Sequence, residues 1–233
     1  MSLFAIGDLH LPGGQEKPMN VFGPQWEQHF RHIAENWRVQ VSPEDTVLIP
    51  GDISWAMRLE DAVPDLAEIG KLPGRKVIIR GNHDYWWGGI TRVRAALPEG
   101  MYALQQDAID LGSCVVCGTR GWLIPSPESP MAEADMKIYQ RELMRLELAL
   151  DSAARLAAGR PVLVMLHYPP LTRTQRTSGF TQRLEQARVR GCIYGHLHGE
   201  GIHAGFCGEQ GGVWYELTSC DSQKFQVKKI NFL

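Results

Sequence analysis

The sequence Val77-Ile78-Ile79-Arg80-Gly81-Asn82-His83-Asp84 joins a run of apolar residues to a cluster of polar ones. Branched apolar side chains favour an extended strand, and the glycine allows the backbone to turn sharply where that strand ends. The amide, imidazole and carboxyl groups after the glycine can bind a metal ion or transfer a proton. This segment therefore predicts a buried strand that delivers reactive side chains at its C-terminal end.

Other segments of the chain repeat this pattern of an apolar run followed by Asp or His. They are residues 3–6 before Asp8 and His10, residues 46–49 before Asp52, residues 162–166 before His167, and residues 192–194 before His196 and His198. In open α/β sheets, ligands bind in the crevice beyond the carboxyl ends of the strands. We therefore expect these segments to build one convergent polar site, which the rest of the chain supports.

The composition is that of an ordinary globular protein, with 44% hydrophobic and 21% charged residues. A chain of 233 residues fits a single domain, residues 1–233. The net charge of −2 gives no electrostatic reason to expect nucleic acid or an anionic membrane as a partner. The N-terminus lacks a basic region and Asp8 interrupts the first apolar run, so we expect no signal peptide and a cytoplasmic location.

Apolar residues at helical spacing predict three helices before residue 100. Pro24 suits the first turn of one helix. The apolar stripe of that helix comprises Trp26, Phe30, Ile33 and Trp37. The other two are predicted at residues 59–69 and just before residue 97.

A longer helix is predicted in the second half of the chain. Ser129 and Pro130 suit its cap and first turn, and Gly159 ends it. Its apolar seam comprises Met136, Tyr139, Leu143, Leu146, Leu150, Ala153 and Ala157. Such a seam packs on a sheet or on a partner chain.

Short strands are predicted in two further parts of the chain. Residues 101–104, 108–111 and 114–118 are typical of antiparallel strands joined by tight turns. Residues 202–207, 213–217 and 225–230 predict a second sheet.

The polar residues that come after the strands form a mixed set of nitrogen and oxygen donors without a thiolate. The set comprises Asp8, His10, Asp52, Asn82, His167, His196 and His198. Seven side chains exceed what one catalytic ion binds, whereas two ions about 3.5–4 Å apart that share a carboxylate use them all. Such donors suit Mn²⁺, Fe or Zn²⁺. We expect two divalent ions, with Mn²⁺ favoured, that lower the pKa of a bridging water.

The order of these motifs resembles that of the calcineurin-like metallophosphoesterases. The series is Gly7-Asp8-Leu9-His10, Gly51-Asp52, Gly81-Asn82-His83-Asp84, His167 and Gly195-His196-Leu197-His198. A single Asp-x-His or Gly-Asp carries little information, but all of them in this order are specific. The resemblance implies an α/β fold in which a two-sheet β-sandwich is flanked by helices, giving four layers (α/β/β/α).

The resemblance also implies a role for each polar residue. One ion would be held by Asp8, His10, Asp52 and His198. The other would be held by Asp52, Asn82, His167 and His196, so that Asp52 is the bridge. His83 would stay off the metals and act as general acid on the leaving oxygen or stabilise the transition state, with Asp84 as a candidate to orient it. The implied reaction is hydrolysis of a phosphoester bond by a metal-bridging hydroxide.

The chain departs from the protein Ser/Thr phosphatase branch of this family. That branch has Gly-Asn-His-Glu and an arginine soon after the second Gly-Asp. Here Asp84 stands in place of the glutamate, and Asp52 is followed by Ile53-Ser54-Trp55. The Gly-Asn-His-Asp form is similar to the phosphodiesterase and nuclease branches. We therefore expect a small phosphate-ester substrate, and a phosphodiesterase rather than a phosphomonoesterase.

Aromatic residues beside the ligand positions are candidates for substrate binding. Trp86 and Trp87, together with Tyr85 just before them and Trp55 just after Asp52, could stack a base or another planar leaving group. Their alternative role is packing in the core, where Trp is commonly found.

Arginines between His167 and His196 are candidates for gripping a phosphate. Arg173 and Arg176 offer planar guanidinium donors, although a solvated helix face is the alternative. Arg58 and Arg80 are further candidates for the same role.

Two other classes of function compete with a small-molecule phosphohydrolase. A non-catalytic scaffold of the same family would typically lack ligands or the acid histidine, and this chain keeps both. A nuclease of the same family would favour a basic surface or an appended basic domain, which the net charge of −2 does not support.

Overall fold

The computed structural model describes residues 1–14, 19–126, 128 and 130–231. The α-helices among them are α1 (His29–Gln40), α2 (Leu59–Gly70), α3 (Ile90–Ala96), α4 (Glu133–Ala157) and α5 (Gly179–Gln186). Short 3-10 helices span Met19–Phe22, Pro24–Trp26 and Gly199–Ala204. Within these described ranges, no helix is both long enough and apolar enough to cross a membrane.

The strands form two sheets. The first five strands are β1 (Leu3–Ala5), β2 (Thr46–Ile49), β3 (Arg75–Ile78), β4 (Met101–Ala103) and β5 (Asp107–Asp110). The next three are β6 (Val115–Thr119), β7 (Val162–Leu166) and β8 (Gly191–Tyr194). The last three are β9 (Gly208–Gln210), β10 (Val213–Leu217) and β11 (Lys228–Lys229). The sheet orders are β11-β1-β2-β3-β4 and β5-β6-β7-β8-β10-β9.

Both sheets have a parallel centre, with an antiparallel strand at one edge of the first sheet and at both edges of the second. Strands β1 to β4 run parallel, with β11 antiparallel beside β1. Strands β6, β7, β8 and β10 run parallel, with β5 and β9 antiparallel at the two edges. The carboxyl ends of the neighbouring parallel strands therefore lie side by side along one end of each sheet.

Three apolar layers hold the sheets and helices together. Val77 and Ile79 point into the layer between the two sheets, whereas Ile78 packs on the side that carries α1 and α2. The third layer joins the second sheet to α4 and α5. A strand buried on both faces needs apolar residues at every position, which is why the run at 77–79 is continuous. The predicted two-sheet sandwich flanked by helices is confirmed.

Several predicted boundaries differ from the observed ones. Residues 101–104 were expected to pair antiparallel with the strands after them, but β4 pairs in parallel with β3 in the first sheet. The reason is that α3 forms a crossover between β3 and β4, and such a connection returns the chain in the same direction. Pro24 begins a separate 3-10 turn, and α1 starts only at His29.

The prediction for the C-terminal third is partly wrong. Residues 202–207 do not form a strand, since Gly199–Ala204 is a 3-10 helix and β9 lies at Gly208–Gln210. Strand β11 covers only Lys228–Lys229 and joins β1 in the first sheet. The second sheet is therefore built from the middle of the chain as well as from its end.

The long helix α4 packs on the second sheet. Its apolar seam therefore faces a sheet of the same chain rather than a partner chain. Tyr139, Leu143 and Leu146 are buried there with side chains of β6 and β7. The helix begins at Glu133, so Pro130 does not lie in its first turn. The predicted cap at Ser129 lies outside the described residues.

Leu146 and Leu148 form a matched pair for testing this packing. Leu146 is 0% exposed, whereas Leu148 is 53% exposed. Leu146→Ala is expected to lower the free energy of unfolding by about 2–5 kcal/mol, because it removes buried methyl groups and leaves a cavity. Leu148→Ala is expected to change it by less than about 0.5 kcal/mol. Urea denaturation measures both, and equal losses would contradict the packing of α4 on the second sheet.

Candidate metal centre

The loops after β1, β2 and β8 bring a first group of predicted ligands together. His198 Nε2 lies 3.4 Å from Asp8 Oδ1 and 3.3 Å from His10 Nε2. His10 Nε2 lies 3.8 Å from Asp52 Oδ2. Ligand atoms bound to one ion at about 2.0–2.2 Å lie roughly this far apart. The side chains thus converge on one point.

A second group forms around the loop after β3. Asn82 Oδ1 lies 2.6 Å from His167 Nε2 and 2.8 Å from His196 Nδ1. The two histidine nitrogens are 3.3 Å apart. Asp52 Oδ2 lies 3.5 Å from His167 Nε2, so the same carboxylate oxygen borders both groups. Asp8 Oδ1 is also near the second group, 3.8 Å from His167 Nδ1.

Hydrogen bonds on the far side of two rings fix which nitrogen faces the centre. His167 Nδ1 lies 3.0 Å from the carbonyl oxygen of Pro50, to which it donates. His198 Nδ1 lies 3.0 Å from Asp221 Oδ1 and donates to it. With Nδ1 protonated in both rings, Nε2 keeps its lone pair for a metal ion.

Two glycines leave room for the carboxylates. A Cβ atom at Gly81 would lie 2.0 Å from Asp52 Oδ1, and one at Gly195 would lie 2.3 Å from Asp8 Oδ2. Any side chain there would push a ligand out of place. This close approach explains why glycine precedes the polar residues of both motifs.

Four of the predicted ligand residues have a left-handed backbone. The φ angles of Asp8, His10, Asp52 and His196 are 59°, 46°, 51° and 74°. Residues other than glycine rarely adopt this conformation, and such strain concentrates at functional sites. This strained backbone conformation costs stability, and it directs these side chains toward the centre of the site.

The charges of the site suit a cation between the two aspartates. Burial raises the pKa of Asp8, but the charge and hydrogen bond of His198, with the charges of His167 and His10, bring it below its usual value. Burial, with repulsion from Asp8 and Asp84, raises the pKa of Asp52. A cation shared by Asp8 and Asp52 would offset this repulsion.

Most of the imidazoles are already in the form that binds metal. Burial lowers the pKa values of His10, His167 and His196, that of His196 to about 3. His198 differs, because Asp8 and Asp221 outweigh its burial and raise its pKa to about 10. Neutral imidazoles and carboxylates are the metal-binding forms, so His198 would release a proton on binding an ion. The donor set fits two divalent ions.

Comparison with known proteins agrees with this geometry. The sequence model of the calcineurin-like phosphoesterase family matches residues 1–200. The chain belongs to this family. Membership supports a hydrolase of phosphoester bonds that uses divalent metal ions.

Individual relatives of this phosphoesterase are distant. The gene 66 protein of Mycobacterium phage D29 is 24% identical over 239 residues, covering 98% of this chain and 97% of the relative. The gene 66 protein of Mycobacterium phage L5 is 37% identical over 79 residues, only 33% of this chain and 37% of the relative. The phosphopantetheinyl hydrolase of Mycobacterium tuberculosis has a similar fold, with a TM-score of 0.57 at 15% identity and coverage of 98% and 95%.

His83 of this phosphoesterase lies beside the two ligand groups. Its backbone N–H donates to Asp52 Oδ1 at 2.8 Å, which leaves Oδ2 of that carboxylate directed at the metal ligands. Its ring centroid is 5.7 Å from that of His10 and 4.4 Å from that of Trp55. Trp55 also stacks on His10 at 4.9 Å. The half-buried Trp55 ring therefore contacts both His10, a predicted metal ligand, and His83, the predicted acid.

Asp84 anchors the loops that carry Asp52 and Asn82. Its Oδ2 accepts a hydrogen bond from the Gly81 N–H at 2.7 Å. Its Oδ1 accepts from the N–H groups of Ile53 and Ser54 and from Trp86 Nε1. This buried carboxylate thus connects the turn after β3 to the loop after β2. The predicted orientation of His83 by Asp84 stays a prediction.

The interpretation of Trp86 and Trp87 as a stacking surface is wrong. Their side chains are only 3% and 1% exposed, and both pack in the core on the α1 and α2 side of the first sheet. Trp87 Nε1 donates to Gln105 Oε1 at 2.9 Å, so the polar edge of that ring is also engaged inside the fold. A base cannot stack on a ring whose faces are covered.

The two predicted clamp arginines contact a different part of the surface. Arg173 Nε donates to the carbonyl oxygen of Gly205 at 2.9 Å. The Arg176 guanidinium lies 3.8 Å above the Phe206 ring and reaches Gln210. These contacts tie the loop before α5 to residues 205–210 and do not involve the metal ligands. A phosphate clamp formed by Arg173 and Arg176 stays a prediction.

Asp221 is a candidate functional residue that the sequence patterns did not identify. It lies after β10, whose last residue Leu217 pairs with Tyr194 at the end of β8. Its Oδ1 accepts from His198, and its Oδ2 accepts from the Gly199 N–H at 2.9 Å. The available signal was the run of polar residues directly after an apolar strand, the same arrangement that located the ligands.

Asp221→Asn is expected to weaken the affinity for the ion that His198 would help to hold by about 10–100-fold, because groups that orient metal-bound histidines typically contribute that much. Titration with Mn²⁺, followed by its paramagnetic resonance signal, measures the affinity. Glu209→Gln, on the exposed strand β9, is the matched control. Unchanged Mn²⁺ affinity in Asp221→Asn would contradict the role of this carboxylate.

Proposed function

We propose that the protein hydrolyses a phosphodiester bond of a small substrate at a two-metal centre, with His83 assisting departure of the leaving oxygen. The observation that carries this proposal is the position of Asp52. Its Oδ2 lies 3.8 Å from His10 Nε2 and 3.5 Å from His167 Nε2, between two groups of ligands. Bound there, two ions would neutralise the phosphate oxygens and activate a water molecule for attack.

The chain itself would orient the substrate and supply the proton. His83 lies off the ligand groups, with its ring supported by Trp55 and flanked by Tyr85 at 6.1 Å. Tyr85 is 49% exposed, so this side of the site is open to a substrate. A histidine at the mouth of the site can donate a proton to an oxygen that leaves toward solvent.

Preference for a diester is supported by the segment directly after Asp52. In the sequence, Ile53-Ser54-Trp55 follows Asp52 where the protein Ser/Thr phosphatases of the family have a phosphate-binding arginine, and the Trp55 ring packs against His10 and His83. A phosphodiester carries one negative charge fewer than a dianionic monoester. It therefore depends less on a cationic side chain at the reacting phosphorus.

The test compares bis(4-nitrophenyl) phosphate with 4-nitrophenyl phosphate, using protein loaded with Mn²⁺, Fe²⁺ or Zn²⁺. We expect kcat/KM for the diester to exceed that for the monoester by about tenfold or more, and a chelator to remove both activities. A preference for the monoester would overturn the diester assignment. Inactivity toward both esters with every ion would overturn the proposed hydrolysis.

A further inference from the structure

A cavity rich in arginine lies beside the metal centre. Its volume is about 490 Å³, within the range of small-ligand pockets. Arg80, Arg120, Arg141 and Arg145 line it, together with Trp122. Arg80 and Arg120 come just after the strand regions of β3 and β6, and the other two arginines lie on α4. We call this space the arginine cavity.

Positive charge exceeds negative charge around the arginine cavity. Glu142, which is 0% exposed, lies 2.6 Å from Arg145 Nη1 and 3.8 Å from Arg120 Nη2. Asp135 accepts a hydrogen bond from Trp122 Nε1. Even with both carboxylates included, guanidinium groups outnumber them four to two. A cavity with this balance favours an anionic ligand.

Two of the guanidinium groups have donors that no protein group satisfies. Arg80 Nε and Arg120 Nε are buried and have no hydrogen-bond partner among the described residues. Buried donors of this kind are rare in folded proteins and call for an explanation. The Arg120 guanidinium is also held in a defined position, 4.5 Å above the Trp122 ring. The Arg120 guanidinium is therefore positioned before any ligand arrives.

The wall of the arginine cavity continues into the metal centre. The carbonyl oxygen of Arg120 accepts hydrogen bonds from the N–H groups of His167 and Tyr168, at 2.9 and 3.0 Å. The Trp122 ring lies 5.0 Å from that of Tyr168, which lies 4.2 Å from that of His196.

On the other wall, Arg80 is two residues from the ligand Asn82, so their Cα atoms are at most about 7 Å apart. The arginine cavity and the metal centre are thus neighbouring spaces that share walls. A substrate that uses both would have to be long enough to extend from the metal centre to the arginines.

We propose that the arginine cavity binds a phosphate group of the substrate other than the one that is hydrolysed. The inference rests on the proposed function and narrows its substrate class to phosphodiesters that carry a further phosphate. Guanidinium groups bind phosphate through paired, charge-assisted hydrogen bonds. A terminal phosphate brings a charge of about −1.5 to −2 at pH 7, which matches the excess of positive charge.

The first test measures binding without any reaction. Inorganic pyrophosphate is titrated into the metal-free protein by isothermal titration calorimetry. Arg141→Gln and Arg145→Gln are each expected to weaken binding by about tenfold. Arg155→Gln, on the exposed face of α4, is expected to bind as the wild type does. Arg141 is exposed, so its replacement leaves the fold intact, and a urea midpoint verifies this. Equal binding by all four proteins, or none by the wild type, would overturn the proposal.

The second test separates the arginine cavity from the reaction. Thymidine 5′-(4-nitrophenyl phosphate) is compared with the same ester carrying a 3′-phosphate, using metal-loaded protein. The 3′-phosphate is expected to raise kcat/KM by about tenfold through a lower KM, and Arg141→Gln and Arg145→Gln to reduce that ratio toward one. Arg155→Gln is expected to keep it.

The outcomes distinguish the two proposals. Hydrolysis of both esters with a ratio that the arginine variants do not change would overturn the role of the arginine cavity and leave the proposed reaction standing. Failure of the wild type to hydrolyse either ester would overturn the proposed reaction, and with it this substrate class, even if pyrophosphate binding depended on Arg141 and Arg145.

Discussion

Asp52→Asn is expected to lower activity and metal content together. Loss of the shared carboxylate should reduce the metal content from about two ions per chain to about one or fewer, and kcat/KM by about 10³-fold or more, since two-metal sites supply several kcal/mol of stabilisation to the transition state. Asparagine is the suitable replacement because φ at this position is 51°, and asparagine tolerates this left-handed backbone better than alanine. Metal analysis and hydrolysis of bis(4-nitrophenyl) phosphate measure both effects.

A loss of metal binding in Asp52→Asn can be distinguished from a loss of folding by measuring the stability of the metal-free protein. Burial is the largest cause of the raised pKa of Asp52, and repulsion from Asp8 and Asp84 raises it further. The neutral amide removes that repulsion, so metal-free Asp52→Asn is expected to resist urea at least as well as the metal-free wild type. Asp61→Asn, exposed in the first turn of α2, is the control. Two tightly bound ions in Asp52→Asn would contradict the bridging role.

The central strands and the convergence of the polar residues after them could be predicted because one physical rule governs both. Strands β2, β3 and β7 are buried toward their C-terminal ends, and there their sequences are continuous apolar runs. Each such run stops where the strand ends, so a polar residue directly after it can be recognised in the sequence. The sandwich and the position of the ligand loops can be inferred from this rule and from the motif order.

The edge strands could not be predicted in the same way. Strand β4 has only three residues, one of which, Tyr102, is exposed, so neither its partner nor its direction leaves a pattern in the sequence. Strand β11 consists of two exposed lysines. Their pairing depends on where the neighbouring strands lie in space. The exposed side chains that protect an edge resemble those of a loop.

The direction and the partners of individual side chains could not be predicted from the sequence either. Asp221 is recognisable only when its hydrogen bond to His198 is seen. Trp86 and Trp87 lie next to the ligand motif, yet their rings turn into the core, whereas Trp55 turns toward His10 and His83. Adjacency in sequence fixes the position of a backbone atom but not the direction of a side chain. The arginine cavity likewise could not be predicted, because it forms only where α4 packs against the second sheet.

His83→Ala is expected to keep the metal ions and lose rate. General acid catalysis typically contributes about 10²–10⁴-fold, so kcat should fall by that amount while about two ions per chain remain. The ions remain because the contact of residue 83 with Asp52 is made by the backbone N–H, which alanine also has. His32→Ala, exposed on α1, is the control for loss of an imidazole.

The leaving group distinguishes an acid from an electrostatic role for His83. A 4-nitrophenolate leaves without protonation far more easily than a phenolate or an alkoxide, because it is a much weaker base. If His83 protonates the leaving oxygen, His83→Ala will lose more activity on phenyl or alkyl esters than on the 4-nitrophenyl ester. Equal losses on all esters would assign His83 to stabilising charge on the phosphate. Full activity of the variant would show that the imidazole beside Trp55 takes no part in the reaction.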